Sequence, residues 1–202
     1  MSTSSSAPAD RRTFVRTALD LGDAVLRPWS RADAGSEALL DALVTAAADP
    51  AIALWNPMAA ADRDAAGAWV EARDGGWERG TAASFAIVDA FDGSLLGCVN
   101  LRWVDRADGL AMIGYWLLPT ARGRGLATGA VAAVTGWGFA TADARRIEIA
   151  HAVGNEASCR VADRCGYLPE GVLRESFRFG DGEYHDEHLH ARLAGDPDPE
   201  SP

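Results

Sequence analysis

The chain has 202 residues and a formal net charge of −10 at pH 7, from 19 basic and 29 acidic residues. This acidic balance argues against nucleic acid as the main partner and, at long range only, favours a cationic substrate such as an amine. No apolar run reaches the roughly 18–20 residues of a membrane span, so neither a transmembrane helix nor a membrane partner is expected. Because every basic residue is Arg, a Lys Schiff base is excluded.

The two ends of the chain are expected to lie outside the core. Residues 1–20 begin with a Ser- and Ala-rich stretch that lacks an apolar signal core, and they are expected to form a disordered tail. Residues 195–202 are acidic and Pro-rich, which leaves 21–194 as a single domain. The lack of a signal core and of any CxxC pair predicts a cytoplasmic protein with reduced thiols.

The first part of the chain predicts one strand and two helices. An apolar, alternating stretch at 24–29 predicts the strand. Leucines recur on one face of 31–48, which predicts a helix. Residues 49–57 are expected to form a loop, and 61–75 a second helix that ends in a glycine pair.

The rest of the chain predicts a meander and then alternating elements. Strands are expected at 82–90, 95–104 and 110–118, with an Asp-Gly turn after the first of them. The elements that follow are a helix at 126–142, a strand at 146–150, a short helix after Asn155, and strands at 172–179 and 184–193. This order predicts an α/β (α+β) fold with one mixed sheet.

The turn between the third meander strand and the next helix predicts an anion site. A helix N-terminus offers backbone N–H groups without partners and about half a positive charge from the macrodipole. Glycines in such a turn let the backbone approach a phosphate closely. A phosphorylated ligand, and a pyrophosphate in particular, is therefore expected at residues Arg122, Gly123, Arg124, Gly125, Leu126, Ala127 and Thr128.

Two common phosphate motifs do not fit this turn. The dinucleotide fingerprint would need a third glycine where Thr128 stands, and the P-loop needs a lysine. The remaining pattern, Arg/Gln-x-x-Gly-x-Gly/Ala, is met by Arg122, Gly125 and Ala127. It resembles the acyl-CoA pyrophosphate loop of the GNAT N-acetyltransferases.

Further motifs carry the same resemblance in the same order. Asn155-Glu-Ala-Ser158 is followed by Gly166-Tyr167 and by Glu170-Gly-Val-Leu-Arg174. This order is similar to the RimJ/RimL-type branch of the GNAT family. The resemblance extends over roughly residues 24–193.

The resemblance implies a GNAT fold, in which a mixed, mostly antiparallel central sheet is splayed at the acyl-CoA site and flanked by helices. It implies acetyl-CoA as the acyl donor. The pantetheine arm would lie in the splay, along the backbone of Trp116, Leu117 and Leu118, and an N–H near Leu117 would stabilise the oxyanion. Asn155 would cap its helix and bond the pantetheine amides.

The implied activity is N-acetylation of a primary amine. A protein or peptide N-terminal α-amine is the leading acceptor. Two alternatives stay open: a small amine such as an aminoglycoside or polyamine, and an acyl-CoA-binding module without turnover. A homodimer is also possible.

The residue that protonates the leaving thiolate departs from the commonest family pattern. Many members use a Tyr seven residues past the Asn, where this chain has Ala162. The RimL-type pattern instead offers Ser158, three residues past Asn155. The alternative is that Ser158 is only a helix-turn residue that bonds back to the Asn155 region. Cys159 as a nucleophile is a further, less favoured alternative.

No single general base stands out. The candidates are Glu148 and His151, followed by Asp186 and Glu183, and a bound water is the alternative. Glu148 and His151 lie on opposite faces of one predicted strand, so both should not be catalytic. A metal site is not expected, because His185, His188 and His190 at i, i+3 and i+5 of a strand do not converge.

Overall fold

The computed structural model of the protein describes residues 15–199. One eight-stranded sheet runs through it in the order β1-β2-β3-β4-β5-β6-β8-β7. The strands are β1 (Leu19–Asp20), β2 (Ala24–Pro28), β3 (Ala82–Asp89), β4 (Leu95–Asp105), β5 (Leu110–Leu117), β6 (Arg146–Ala152), β7 (Leu168–Arg178) and β8 (Tyr184–Leu193). The helices are α1 (Glu37–Ala48), α2 (Pro50–Trp55), α3 (Arg63–Arg79), α4 (Leu126–Thr141) and α5 (Glu156–Arg164), with 3-10 turns at Arg31–Gly35 and Pro119–Ala121.

The sheet is antiparallel except between β5 and β6, which α4 connects as a crossover helix. β5 pairs with β6 only over Leu110–Met112, opposite Arg146–Glu148. Beyond Met112 the two strands diverge, while β5 continues to pair with β4 as far as Leu117. The predicted mixed, splayed sheet is therefore confirmed.

Apolar cores cover both faces of the sheet. On one face, α4 and α5 pack over residues such as Phe85, Ile87 and Ile149. On the other, α1, α2 and α3 pack over residues such as Ala86 and Val88. The alternation of β3 between the two cores explains why six of its eight residues are buried.

Two helical predictions were wrong. The predicted loop at 49–57 contains α2, because the Asp49 carboxylate accepts from the Ile52 amide at 3.0 Å and Pro50 takes the first helical position. α3 continues past the glycine pair to Arg79 and ends at Gly80, which has φ +64°. An added Cβ at Gly76 would lie 3.4 Å from the Ala82 Cβ, an ordinary contact distance, so the helix lies close to β3 at this point.

The expected tail boundaries also differ from the structure. Leu19–Asp20 pairs with β2, so ordered structure begins before residue 21. At the other end, Arg192 bonds the Asp198 carboxylate at 2.8 Å, and Asp196 accepts from the Leu193 amide at 2.8 Å. One ion pair and one bond to a backbone amide therefore connect this acidic segment to the end of β8. Residues 1–14 and 200–202 of the predicted tails lie outside the described part.

Within residues 15–199, no helix combines the length and apolar character that crossing a membrane requires.

Candidate functional site

A cavity of about 450 Å³ lies against the end of β5, where that strand has left β6. Four elements line it: α2, β5, the turn into α4, and α5. Its lining residues are Ala51, Ile52, Trp55, Asn56, Tyr115, Trp116, Leu117, Arg122, Gly123, Gly125, Leu126, Ala127, Thr128, Asn155, Ala157, Ser158, Val161 and Arg164. The structure thus brings most of the predicted binding residues to one cavity, whereas Leu118 and Arg124 are not among its lining residues.

The N-terminus of α4 opens into this cavity without a side-chain cap. Its N-cap is Gly125, with φ +77°, and Gly123 also has φ +77°. Both conformations favour glycine over residues with a Cβ. The unpartnered N–H groups of the first turn and the dipole of a 16-residue helix make this end of the cavity attractive to an anion.

Arg122 has a different role from the one expected of a phosphate ligand. Its Nη2 lies 2.6 Å from the Asp49 Oδ1, and its Nε donates to the Leu117 carbonyl at 3.1 Å. Burial opposes ionisation of Asp49, but hydrogen bonds from Arg122 and the Ile52 amide outweigh it and hold the pKa of Asp49 below its usual range. Arg122 therefore ties the α4 turn to the start of α2, while the backbone of the turn faces the cavity.

A second arginine at the cavity was not predicted from the sequence. Arg164, at the end of α5, lines the cavity together with the α4 turn. It is exposed, and a guanidinium is a group well suited to binding phosphate. The only sequence signal was a basic residue in the last turn of a predicted helix, which is also a common helix-end feature.

The open edge of β5 presents backbone groups to the cavity. Because the Leu118 amide donates to the Leu96 carbonyl at 2.9 Å, strand alternation turns the amide of Leu117 to the open side. The outward carbonyls of Tyr115 and Leu117 accept from Asn56 and Arg122 at 3.0 and 3.1 Å. Of the three predicted backbone contacts, Leu117 is therefore the one with an outward N–H, while Leu118 faces β4.

The first turn of α5 carries the predicted polar residues. The Asn155 Oδ1 accepts from the Ser158 amide at 3.2 Å, which confirms Asn155 as the N-cap. Ser158 lines the cavity, and its hydroxyl lies near that of Tyr115. Ala162, in place of the family's usual Tyr, is buried in the core.

Tyr115 contributes a second hydroxyl at the cavity. Burial raises its pKa to about 12, and nearby Ser158 moderates the rise, although no hydrogen bond to the Tyr115 oxygen is formed among the described residues. The phenol is therefore neutral at physiological pH and can only donate or accept a hydrogen bond.

Ser158→Ala is expected to lower kcat about a hundredfold with little change in CoA affinity. A general acid typically contributes about 10²–10⁴ in rate, and the Tyr115 hydroxyl, which stays in place, puts the effect at the low end. Steady-state kinetics with separate CoA calorimetry checks it. A kcat within about threefold of the parent, with chemistry rate-limiting, would show that Ser158 is only a helix residue.

The predicted base candidates do not line the cavity. Glu148 forms an ion pair with Arg146, with 2.8 Å between the Arg146 Nη2 and the Glu148 Oε1. The same Arg146 nitrogen lies 2.6 Å from the Glu170 Oε2. His151 is buried on the opposite face of β6, where burial lowers its pKa. The Asp186 carboxylate accepts from the Glu175 amide, and Glu183 lies in the hairpin turn between β7 and β8.

The cavity thus offers no strong proton acceptor. Among the described residues that line it, none is Asp, Glu or His. An acceptor that enters here meets no carboxylate or imidazole among these lining residues. This is the chemical property of the site that most restricts its substrate.

Behind the cavity, its lining helix α2 packs against the β7–β8 hairpin. Trp55 packs edge-on against Phe179, with ring centroids 5.7 Å apart. The Gly180 amide donates to the Leu54 carbonyl at 2.9 Å, and an added Cβ at Gly180 would lie 1.7 Å from the Ala53 carbonyl oxygen. Only glycine fits this contact, so the hairpin is fastened to the helix that carries Trp55 and Asn56.

Comparison with known proteins agrees with this geometry. Residues 23–168 match the family model described as "Acetyltransferase (GNAT) domain". The chain is 31% identical over 116 residues to the ribosomal-protein-serine acetyltransferase of Escherichia coli (strain K12), which covers 57% of this chain and 63% of that protein. The chain spans 52% to 63% of the length of the curated relatives that it matches.

Solved structures share the fold. The ribosomal-protein-S5-alanine acetyltransferase from Vibrio fischeri superposes with a TM-score of 0.77 at 21% identity, over 91% of this chain and 100% of that chain. Mycobacterium smegmatis RimJ in complex with CoA-disulfide gives a TM-score of 0.68 at 27% identity, over 85% of this chain and 82% of that one.

Proposed function

Because the chain belongs to the GNAT acetyltransferase family, we propose that it transfers the acetyl group of acetyl-CoA to a primary amine. One observation carries the proposal: the uncapped N-terminus of α4, the open edge of β5 and the Ser158 hydroxyl line one cavity. These are the anion cradle, the backbone donor and the proton donor that acyl transfer from a thioester requires.

The proposed reaction assigns each group one task. The α4 N-terminus and Arg164 hold the pyrophosphate, and the outward amide of Leu117 donates to the thioester oxygen as negative charge develops there. The neutral amine attacks the carbonyl carbon, the carbon–sulfur bond breaks, and the Ser158 hydroxyl donates its proton to the thiolate while its oxygen takes a proton from solvent water. The amine nitrogen releases its proton to water, so that an amide and free CoA thiol are formed.

The proposed acceptor is a protein or peptide N-terminal α-amine. The relatives' names support it, since the Escherichia coli protein is a ribosomal-protein-serine acetyltransferase. The cavity supports it independently, because a site without a carboxylate or imidazole suits an amine that is partly neutral at pH 7. The proposed compartment is the cytoplasm, in keeping with three free thiols.

The test separates turnover from simple binding. The protein is incubated with acetyl-CoA and, separately, with a peptide bearing a free α-amine, a polyamine and an aminoglycoside, and the release of CoA thiol is followed. We expect release with the peptide, and mass spectrometry should show one acetyl group on its N-terminus. Release with a small amine alone would favour the small-amine alternative, and tight CoA binding without release would favour the binding module.

A further inference from the structure

Three histidines and one cysteine outside the cavity come together beneath α5. In the β6–β8 pairing, His151 lies directly opposite His188, and His190 lies opposite Ile149. The period-2 alternation of strands therefore places all three imidazoles on one face of the sheet. Cys159 lies on α5, which packs on this face, and its Sγ belongs to the same cluster of ligand atoms as the three imidazoles.

The donor atoms are close enough to share one ion. One ligand atom from each of the four residues lies within 4.8 Å of the others, and the Cys159 Sγ is 3.9 Å from the His190 Nε2. A tetrahedral zinc ion with bonds of about 2.0–2.1 Å to nitrogen and about 2.3 Å to sulfur would set that separation near 3.5 Å. The Cys159–His190 pair would have to shorten by about 0.4 Å, and any pair near the 4.8 Å limit by more than about 1 Å, to reach this geometry.

The hydrogen bonds of two imidazoles leave the correct nitrogen free. The His151 Nδ1 lies 3.0 Å from the Ala152 carbonyl oxygen, and the His190 Nδ1 lies 3.4 Å from the Tyr167 carbonyl oxygen. A carbonyl can only accept, so each Nδ1 carries the proton and each Nε2 presents a lone pair. This carbonyl-to-imidazole arrangement is the one that orients histidine ligands in metal sites.

His151 provides an independent sign that a ligand is missing. The residue is only 5% exposed, and its Nε2 has no hydrogen-bond partner among the described residues. A buried polar atom without a partner is unfavourable and requires an explanation. The lone pair of this atom belongs to the cluster that contains Cys159, His188 and His190.

We propose that His151, Cys159, His188 and His190 bind a divalent zinc-class ion in a closed, four-ligand structural site. One thiol and three imidazoles form a donor set that suits Zn²⁺. On binding, the Cys159 S–H bond breaks, a metal–thiolate bond forms and the proton goes to solvent. Four protein ligands leave no open position, so the ion fastens α5, whose first turn carries Asn155 and Ser158, to β6 and β8.

The expectation from the sequence considered one strand alone and was therefore incomplete. His185 indeed lies apart, with its Nε2 2.7 Å from the Asp181 carboxylate. His188 and His190 converge because neighbouring β6 supplies His151 and α5 supplies Cys159. The metal-free expectation is thus replaced by this proposal.

Cobalt titration of metal-stripped protein tests the site. Co²⁺ added to the full chain should bind at about one equivalent and give intense visible ligand-field bands with a thiolate-to-cobalt charge-transfer band, as expected of a tetrahedral site with one thiolate. Zn²⁺ should displace the cobalt, abolish the colour and raise the Tm above that of the stripped protein.

The variants are chosen to keep the fold. His188→Ala alters a half-buried residue and should weaken Co²⁺ binding at least about tenfold, as loss of one ligand in four implies. Cys159→Ser should remove the charge-transfer band. His185→Ala, on the same strand but outside the cluster, should bind as the parent does, with circular dichroism confirming the fold of each variant. Binding without a thiolate band, equal loss in His185→Ala and His188→Ala, or no binding at micromolar Co²⁺ would each overturn the proposal.

Discussion

Gly125→Glu is expected to weaken CoA binding about 10²–10³-fold. The substitution places a carboxylate beside the unpartnered amides of the α4 N-terminus, where the pyrophosphate should lie. Two like charges about 4 Å apart repel by about 4 kcal/mol at an effective dielectric near 20, and each 1.4 kcal/mol is about a factor of ten in affinity. Arg122 and Arg124 are already paired with Asp49 and Asp89, which limits how far they neutralise the new charge.

Gly125→Gln is the matched control for this experiment. Gly125 has φ +77°, so any side chain there is strained, although an added Cβ would meet nothing within 4 Å. Glu and Gln share that strain and differ in charge, so the ratio of their CoA affinities by calorimetry isolates the electrostatic part. The ratio should shrink as salt is raised. Equal affinities of two folded variants would remove the pyrophosphate from this turn.

The turn and helix N-terminus of the proposed anion site were predictable because their signals are local. Residues 122–127 carry the turn glycines and directly precede a long apolar helix, and a helix N-terminus has the same electrostatics wherever the helix lies. The splay between β5 and β6 followed from the family resemblance, and the register shows it. Strand alternation also placed Glu148 and His151 on opposite faces, as the burial pattern of β6 confirms.

The remaining features depend on contacts between distant parts of the chain. Arg122 meets Asp49 across 73 positions, and no local pattern announces that pair. α2 has only six residues, so its Asp-Pro start signal resembled that of a loop. The four-residue cluster under α5 needs the β6–β8 register as well as the position of the helix.

The placement of the base candidates likewise depends on contacts between distant parts of the chain. Candidates were chosen for residue type and strand position, yet Glu148 is paired with Arg146 and His151 is turned toward the cluster beneath α5. Neither placement can be obtained from the strand sequence alone. Neither residue lines the cavity, which is why we propose that the acceptor amine reacts from its own neutral fraction.

A peptide with a free α-amine and blocked Lys side chains should be acetylated about 300-fold faster, in kcat/KM at pH 7, than one with a blocked α-amine and a free Lys. An α-amine with a pKa of about 7.7–8.0 is roughly one-tenth neutral at pH 7, whereas a Lys amine with a pKa near 10.4 is neutral only about 0.04% of the time. Without a base in the cavity, this difference in neutral fraction passes directly into the rate. The enzyme contains no Lys, so its own side chains add no background.

The pH dependence distinguishes this explanation from simple recognition of a peptide end. The neutral fraction of the α-amine saturates above its pKa while that of Lys continues to rise, so the preference should fall from about 300-fold at pH 7 to roughly 25-fold at pH 9. A preference that stays constant from pH 7 to pH 9 would mean that pocket contacts select the acceptor. Faster acetylation of the Lys-only peptide near neutral pH would mean that a base reaches the bound amine after all. That base would not be the hydroxyl of Ser158 or Tyr115, because both are too weakly acidic to be ionised at this pH, and the Tyr115 pKa is about 12. Such a result would return Glu148 and Asp186 to consideration through movement of β6 or of the β7–β8 hairpin on substrate binding.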